Sequence, residues 1–137
     1  SGLWEATYTF ELPEGEWTAV DYETKGWKTG KAAFGTDDNP YRSTPWQDGD
    51  IWVRRSFDWP EGTDKEDLFL QYSHDDNIEL YINGKQVAVT GNGLDYDLLK
   101  EIPQEVANTL KPTGNILAAH CRNNGGGAYV DMGIRHV

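Results

Sequence analysis

Apolar and polar residues alternate along much of this 137-residue chain. A period of two marks strands rather than helices. The clearest stretch runs from Asp67 to Thr90. Leu68, Leu70 and Tyr72 alternate with Phe69, Gln71 and Ser73; then Ile78, Leu80 and Ile82 alternate with Glu79, Tyr81 and Asn83. Asn83-Gly84 separates the second run from Gln86-Val87-Ala88-Val89. That predicts a type I′ hairpin, because both turn residues must take positive φ. The polar corner His74-Asp75-Asp76-Asn77 joins the first two runs.

The rest of the chain is read the same way. Trp4, Ala6, Tyr8, Phe10 and Leu12 share one face of a first strand that Pro13-Glu14-Gly15 ends, and Trp17 to Val20 reads as a short second strand. From Asp21 to Asn39 the pattern is weak, an ordered loop pinned by Trp27 and Phe34, with a turn cluster at Asp37-Asp38-Asn39-Pro40. Tyr41 to Asp50 reads as a long loop carrying Trp46. Ile51 to Trp59 is a strand with Ile51, Val53, Phe57 and Trp59 on one face and Trp52, Arg54 and Ser56 on the other. Arg55 falls on the apolar face and, if buried, needs a carboxylate partner. Asp95 to Lys100 reads as a connection. Pro103 to Leu110 predicts one or two helical turns, with Pro103 at the first helical position. Ile116 to Arg122 and Ala128 to Ile134 are strands joined by a glycine-rich turn from Asn123 to Gly127. About eight short strands with little helix predict one all-β domain over residues 1–137, an antiparallel jelly-roll β-sandwich.

Charge narrows the partners. The chain has 12 basic against 23 acidic residues, a formal net charge of −11. Phosphate-rich nucleic acid and anionic membrane surfaces both demand the opposite balance. No apolar run approaches a membrane span, so no membrane insertion is expected. The single cysteine, Cys121, excludes an intrachain disulfide and a cysteine metal cluster. Six Trp and seven Tyr suit a surface that stacks on sugar rings.

Three motifs carry a family resemblance. Ile51-Trp52-Val53-Arg54-Arg55-Ser56-Phe57 resembles the W-x-R-R-x-F strand of the N-terminal sugar-binding-type domain of glycoside hydrolase family 2, the β-galactosidase and β-glucuronidase group. The Tyr81-Ile82-Asn83-Gly84-Lys85 core resembles that domain's V-Y-V-N-G hairpin. Leu110 to Leu117 resembles its L-x-x-G-x-N-x-L lead-in to a late strand, with Leu110, Asn115 and Leu117 in place and the glycine one position later, at Gly114. Upstream, Gly26-Trp27 to Phe34-Gly35 is similar to a W…G…FG segment of related bacterial modules that precede glycosidase-like or glutaminase-like catalytic domains. The resemblance implies a galactose-binding-domain-like accessory domain of a larger secreted bacterial hydrolase, extracellular or periplasmic. In those hydrolases the catalytic carboxylates lie on a separate barrel, which 137 residues cannot contain.

Candidate chemistry follows. Sugar recognition needs flat aromatic faces for pyranose C–H groups and polar partners for the hydroxyls. Trp46 and Tyr41 on the long loop, then Trp27, are the aromatic candidates. Arg122, Asn123 and Asn124 at the glycine turn, with His74 and Asp75 at the corner, are the polar ones. Asp75, Asp76 and Asn77 offer oxygens to Ca²⁺, but the alternate spacing and bending glycine of a hard-cation loop are missing, so no cofactor is expected. The three histidines, His74, His120 and His136, show no Zn²⁺ spacing. Asp75 and Asp76 are too close in sequence to flank a sugar as a glycosidase pair. Cys121 beside His120 reads as a small buried residue rather than a nucleophile. Three functions stay open: the first is non-catalytic carbohydrate binding or substrate positioning, and the second is a structural domain docked onto its own catalytic domain. A small free-standing enzyme is the third.

Overall fold

The computed structural model describes residues 4–36, 42–46, 49–90, 95–123 and 129–136. Among them eleven strands form an all-β sandwich of two sheets. β1 (Glu5–Thr9), β2 (Lys28–Lys31), β5 (Gly49–Phe57), β7 (Asn77–Ile82), β8 (Lys85–Val89) and β10 (Asn115–Asn123) make the six-stranded sheet, ordered β2-β1-β5-β10-β7-β8. β3 (Phe34–Gly35), β4 (Thr44–Pro45), β6 (Leu68–Asp75), β9 (Asp95–Glu101) and β11 (Tyr129–His136) make the other, ordered β4-β3-β11-β6-β9. Every pairing is antiparallel except β3 with β4. Chain neighbours β6 and β7 lie in different sheets, so the corner at residues 74–77 is where the chain crosses the sandwich.

The alternation seen in the sequence becomes the core. Ile51 and Val53 from β5, Leu68 and Leu70 from β6, Ile78, Leu80 and Ile82 from β7, and Leu117, Ala119 and Cys121 from β10 are all at most 1% exposed. The hairpin forms as expected: Asn83 and Gly84 take φ of 48° and 85°. Asn83 also ties the hairpin to the next motif. Its Oδ1 accepts from the Ile116 amide at 2.9 Å and its Nδ2 donates to Asn115 Oδ1 at 3.2 Å.

Elsewhere the chain departs from the expected elements. Trp17 to Val20 is a turn, not a strand. Arg54, buried on the outer face of β5, donates to the Trp17, Ala19 and Val20 carbonyls at 2.6, 2.7 and 3.5 Å and so pins that turn over the sheet. β2 and β3 arise within the weakly patterned 21–39 stretch. The expected loop at 41–50 contributes β4 and the start of β5, and the expected connection at 95–100 is β9. The first strand stops at Thr9, leaving Phe10 39% and Leu12 80% exposed. The helix is a single turn, α1 (Gln104–Ala107), and Pro103 caps it rather than opening it. The turns at 37–40 and 91–93, and residues 124–127 of the glycine-rich turn, lie outside the described residues. No helix among the described residues is long and apolar enough to cross a membrane.

Candidate functional site

The residues on the outer face of the six-stranded sheet follow from register. β10 runs between β5 and β7, with His120 opposite both Trp52 and Glu79, and Arg122 opposite both Asp50 and Asn77. Because Cys121 and Ala119 point into the core, His120 and Arg122 must point out. The result is two cross-strand rows: Asp50, Arg122 and Asn77 in one, Trp52, His120 and Glu79 in the other. Tyr81 and Gln86 extend the array toward β8.

These side chains bond to one another. His120 Nε2 is 2.6 Å from Asp50 Oδ2 and its Nδ1 is 3.2 Å from Glu79 Oε1. The imidazole lies parallel to the Trp52 indole, with ring centroids 4.7 Å apart and an interplanar angle of 5°. Trp52 is thereby 5% exposed although it faces outward. Arg122 pairs with Asp50, Nε to Oδ1 at 3.4 Å. Tyr81 donates its hydroxyl to Glu79 Oε2 at 2.6 Å, and Gln86 Nε2 donates to the Tyr81 oxygen at 3.3 Å. Burial, helped by the Glu79 carboxylate, pushes the Tyr81 hydroxyl up to about 12, so it remains a donor at neutral pH. Beside this network lies a cleft of about 260 Å³, lined by Asn77, Glu79, Gln86, Thr90, His120 and Arg122, with Val89 as its exposed apolar wall.

Among the described residues, one of the side chains expected to bind ligand lies in this cleft: Arg122, which is exposed. Trp46 overturns its expectation. It is 1% exposed and belongs to the same core as Phe34, Val130 and Met132, because β4 pairs with β3 and the Trp46 amide bonds to the Gly35 carbonyl. His74 is 4% exposed, with Nδ1 2.5 Å from the Asp76 carbonyl oxygen, and Asn123 is 8% exposed, so neither presents a side chain to a sugar. Asp75 pairs with Tyr129 at the sheet crossing. Asp76 donates its amide to the Arg122 carbonyl at 2.8 Å. Asn77 is the corner residue that reaches the cleft. Trp27 is half-buried, edge-on to Tyr22 at 6.0 Å, on a separate shallow groove with Leu12 and Pro13. Tyr41 and Asn124 lie outside the described residues. Among the described residues no group of three or more His, Cys, Asp or Glu side chains is placed to hold a metal ion.

The cleft residues missed from sequence are Glu79, Gln86, Val89, Thr90 and His120, together with Asp50, which holds His120 and Arg122 from beside it. Their signal was the same period of two that located the core, read for the opposite face. Cys121 and His120, adjacent in the chain, point to opposite sides of the sheet, so they cannot act as nucleophile and base. Burial pushes the Cys121 thiol well up, and its sulfur is fully enclosed. A thiol reagent should therefore label folded protein more than about a hundred-fold more slowly than protein in denaturant. Fast labelling of the folded protein would contradict this placement.

No protein-family model matches the sequence, and comparison with curated proteins finds no match. Solved structures do match. One is a β-glucuronidase from glycoside hydrolase family 2, at 19% identity and a TM-score of 0.62, covering 89% of this chain and 13% of that one. Another is a family 2 member from Bacteroides cellulosilyticus DSM 14838, at 12% identity and a TM-score of 0.63, covering 96% and 20%. A third is a Faecalibacterium prausnitzii β-glucuronidase, at 14% identity and a TM-score of 0.62, covering 88% and 20%. The chain spans a fifth or less of each of these proteins. At these identities the likeness shows the fold. The proteins its fold resembles are the same group that its three sequence motifs resemble: glycoside hydrolase family 2.

Proposed function

We propose that this chain is a non-catalytic accessory domain of a larger glycoside-hydrolase-like protein, and that it binds carbohydrate in the cleft between β7, β8 and β10. The observation that supports this most is the cleft's composition. Asn77, Gln86 and Arg122 supply donors, Glu79 supplies an acceptor, and Val89 offers an apolar wall for sugar C–H groups. Sites for small polar ligands combine these parts. Glu79, Gln86 and Arg122 are held in place by the network around His120 and Tyr81, which lowers the cost of ordering them on binding. The same network speaks against glycosidase chemistry here. A hydrolytic pair needs a sugar between its carboxylates, and between Asp50 and Glu79 the space is filled by the His120 ring.

The parent chain would then be a hydrolase whose catalytic domain is separate, and its extracellular or periplasmic placement in a bacterium belongs to the same proposal. The isolated domain on a glycan array tests it. Binding to at least one glycan is expected, weakened about ten-fold or more by Arg122→Ala, which removes a charged donor worth about 1.5 kcal/mol or more. No binding to any glycan would sink the carbohydrate reading.

A second reading, a structural domain docked onto its own catalytic domain, is favoured by a different surface. Phe10 and Leu12 are exposed beyond the end of β1, and Leu12 shares a shallow groove with Pro13, Tyr22 and Trp27. Protection of that groove in the full-length parent, with no glycan bound by the isolated domain, would favour it.

A further inference from the structure

Two consecutive arginines on β5 are used differently. Arg54 spends its donors on three backbone carbonyls of the 17–20 turn. Arg55, on the opposite face and half-buried, makes one hydrogen bond, from Nη1 to the Met132 carbonyl at 3.1 Å. Its guanidinium carbon lies 4.5 Å from the centre of the Trp4 ring. Among the described residues no carboxylate oxygen comes within ion-pair distance of it. The Asp131 carboxylate favours its charge, but that carboxylate's Oδ1 already accepts from Trp4 Nε1 and the Met132 amide, both at 2.9 Å. A guanidinium has five N–H groups in a planar fork. A half-buried one that uses a single N–H carries a desolvation cost with little return.

Arg55 opens into a pocket of about 160 Å³ between the sheets, walled by Phe57, Trp59, Leu117 and Ile134, with the exposed Asp58 at its rim. We propose that this pocket binds a small organic carboxylate, its two oxygens on the unused N–H groups of Arg55 and its carbon skeleton against Phe57, Trp59 and Ile134. Bidentate guanidinium–carboxylate pairing is the strongest and most directional contact this side chain makes. The volume equals that of about five water molecules, which suits an acid of a few carbons. The site is independent of the outer cleft: Arg55 and His120 lie on opposite faces of the same sheet.

The same chemistry has two sources, a free short-chain acid or a glutamate side chain of a neighbouring domain, and the pocket's small volume favours the free acid. The test follows the Arg55 Nε–H resonance of the unaltered 137-residue protein, and in every variant the backbone amide resonances of Phe57, Leu117 and Ile134, by NMR at fixed ionic strength. Butyrate should shift it saturably, butyramide should not, and Arg55→Lys should weaken butyrate about ten-fold or more. N-acetylglutamate methylamide is titrated alongside. Binding ten-fold tighter than butyrate would keep the carboxylate site and transfer it to a protein side chain. No saturable shift with either acid, or an equal shift with butyramide, would overturn the proposal. Should Arg55→Lys fail to fold, the acid-against-amide comparison on the unaltered protein decides alone. Unchanged butyrate affinity in a folded Arg55→Lys variant would also overturn it.

Discussion

Trp46→Ala should lower the unfolding free energy by about 3–5 kcal/mol, the range for truncating a fully buried large aromatic. Trp46 heads the buried side chains by volume. Its amide donates to the Gly35 carbonyl at 2.7 Å, and its ring is enclosed by the core that β3 and β11 build. Truncation leaves a hole the sheets cannot close, since both backbones are held by their own ladders. With domain stabilities of about 5–15 kcal/mol, the variant will be near its unfolding threshold. Trp46→Phe should cost much less. The indole Nε1 has no hydrogen-bond partner among the described residues, so removing it leaves no acceptor unmatched. Urea unfolding of both variants checks this; a loss below about 1 kcal/mol for Trp46→Ala would place the ring at the surface.

Asn115→Asp should cost about 3 kcal/mol or more, summing several buried bonds at roughly 1 kcal/mol each and adding a buried charge. Asn115 is fully buried. Its Oδ1 accepts from the Lys111 amide at 2.8 Å and from Asn83 Nδ2 at 3.2 Å. Its Nδ2 donates to the Lys111 and Phe57 carbonyls at 2.7 and 3.2 Å. The amide orientation is fixed by this arrangement, because one end faces an N–H and the other two carbonyls. Aspartate keeps the shape and reverses the second end, setting oxygen against two carbonyl oxygens. A thermal midpoint equal to that of the unaltered protein would show that Asn115 is not the clamp described.

Asn115 and Asn83 show why the fold was readable from the chain. Each belongs to a motif that resembles glycoside hydrolase family 2, and the structure shows the physical work each motif does. Asn83 takes positive φ in a hairpin that Gly84 completes. Asn115 closes the 110–115 turn and bonds to Asn83 and to the end of β5. Such local requirements leave a trace in local sequence. Trp46 leaves none. Its neighbours Ser43, Thr44 and Pro45 are polar or short, and the apolar surface that covers it comes from strands distant in the chain. The same holds for β9 and for β2, where pairing rather than pattern made the strand.

The outer cleft was hidden for another reason. Asp50, Glu79 and His120 are scattered over seventy positions, and each alone reads as an ordinary solvated residue of a strand. Only the register of β5, β10 and β7 brings them together. Polar positions on a strand whose other face is core were the signal. What they lacked was the pairing order.

The most direct test of this account is to map the chosen glycan onto the protein by amide chemical-shift perturbation in NMR. The largest shifts are expected at Asn77, Glu79, Gln86, His120 and Arg122, with Trp27 and Arg55 unmoved. Shifts centred on the Tyr22–Trp27 groove, or a saturating ligand that leaves β7 and β10 undisturbed, would contradict it.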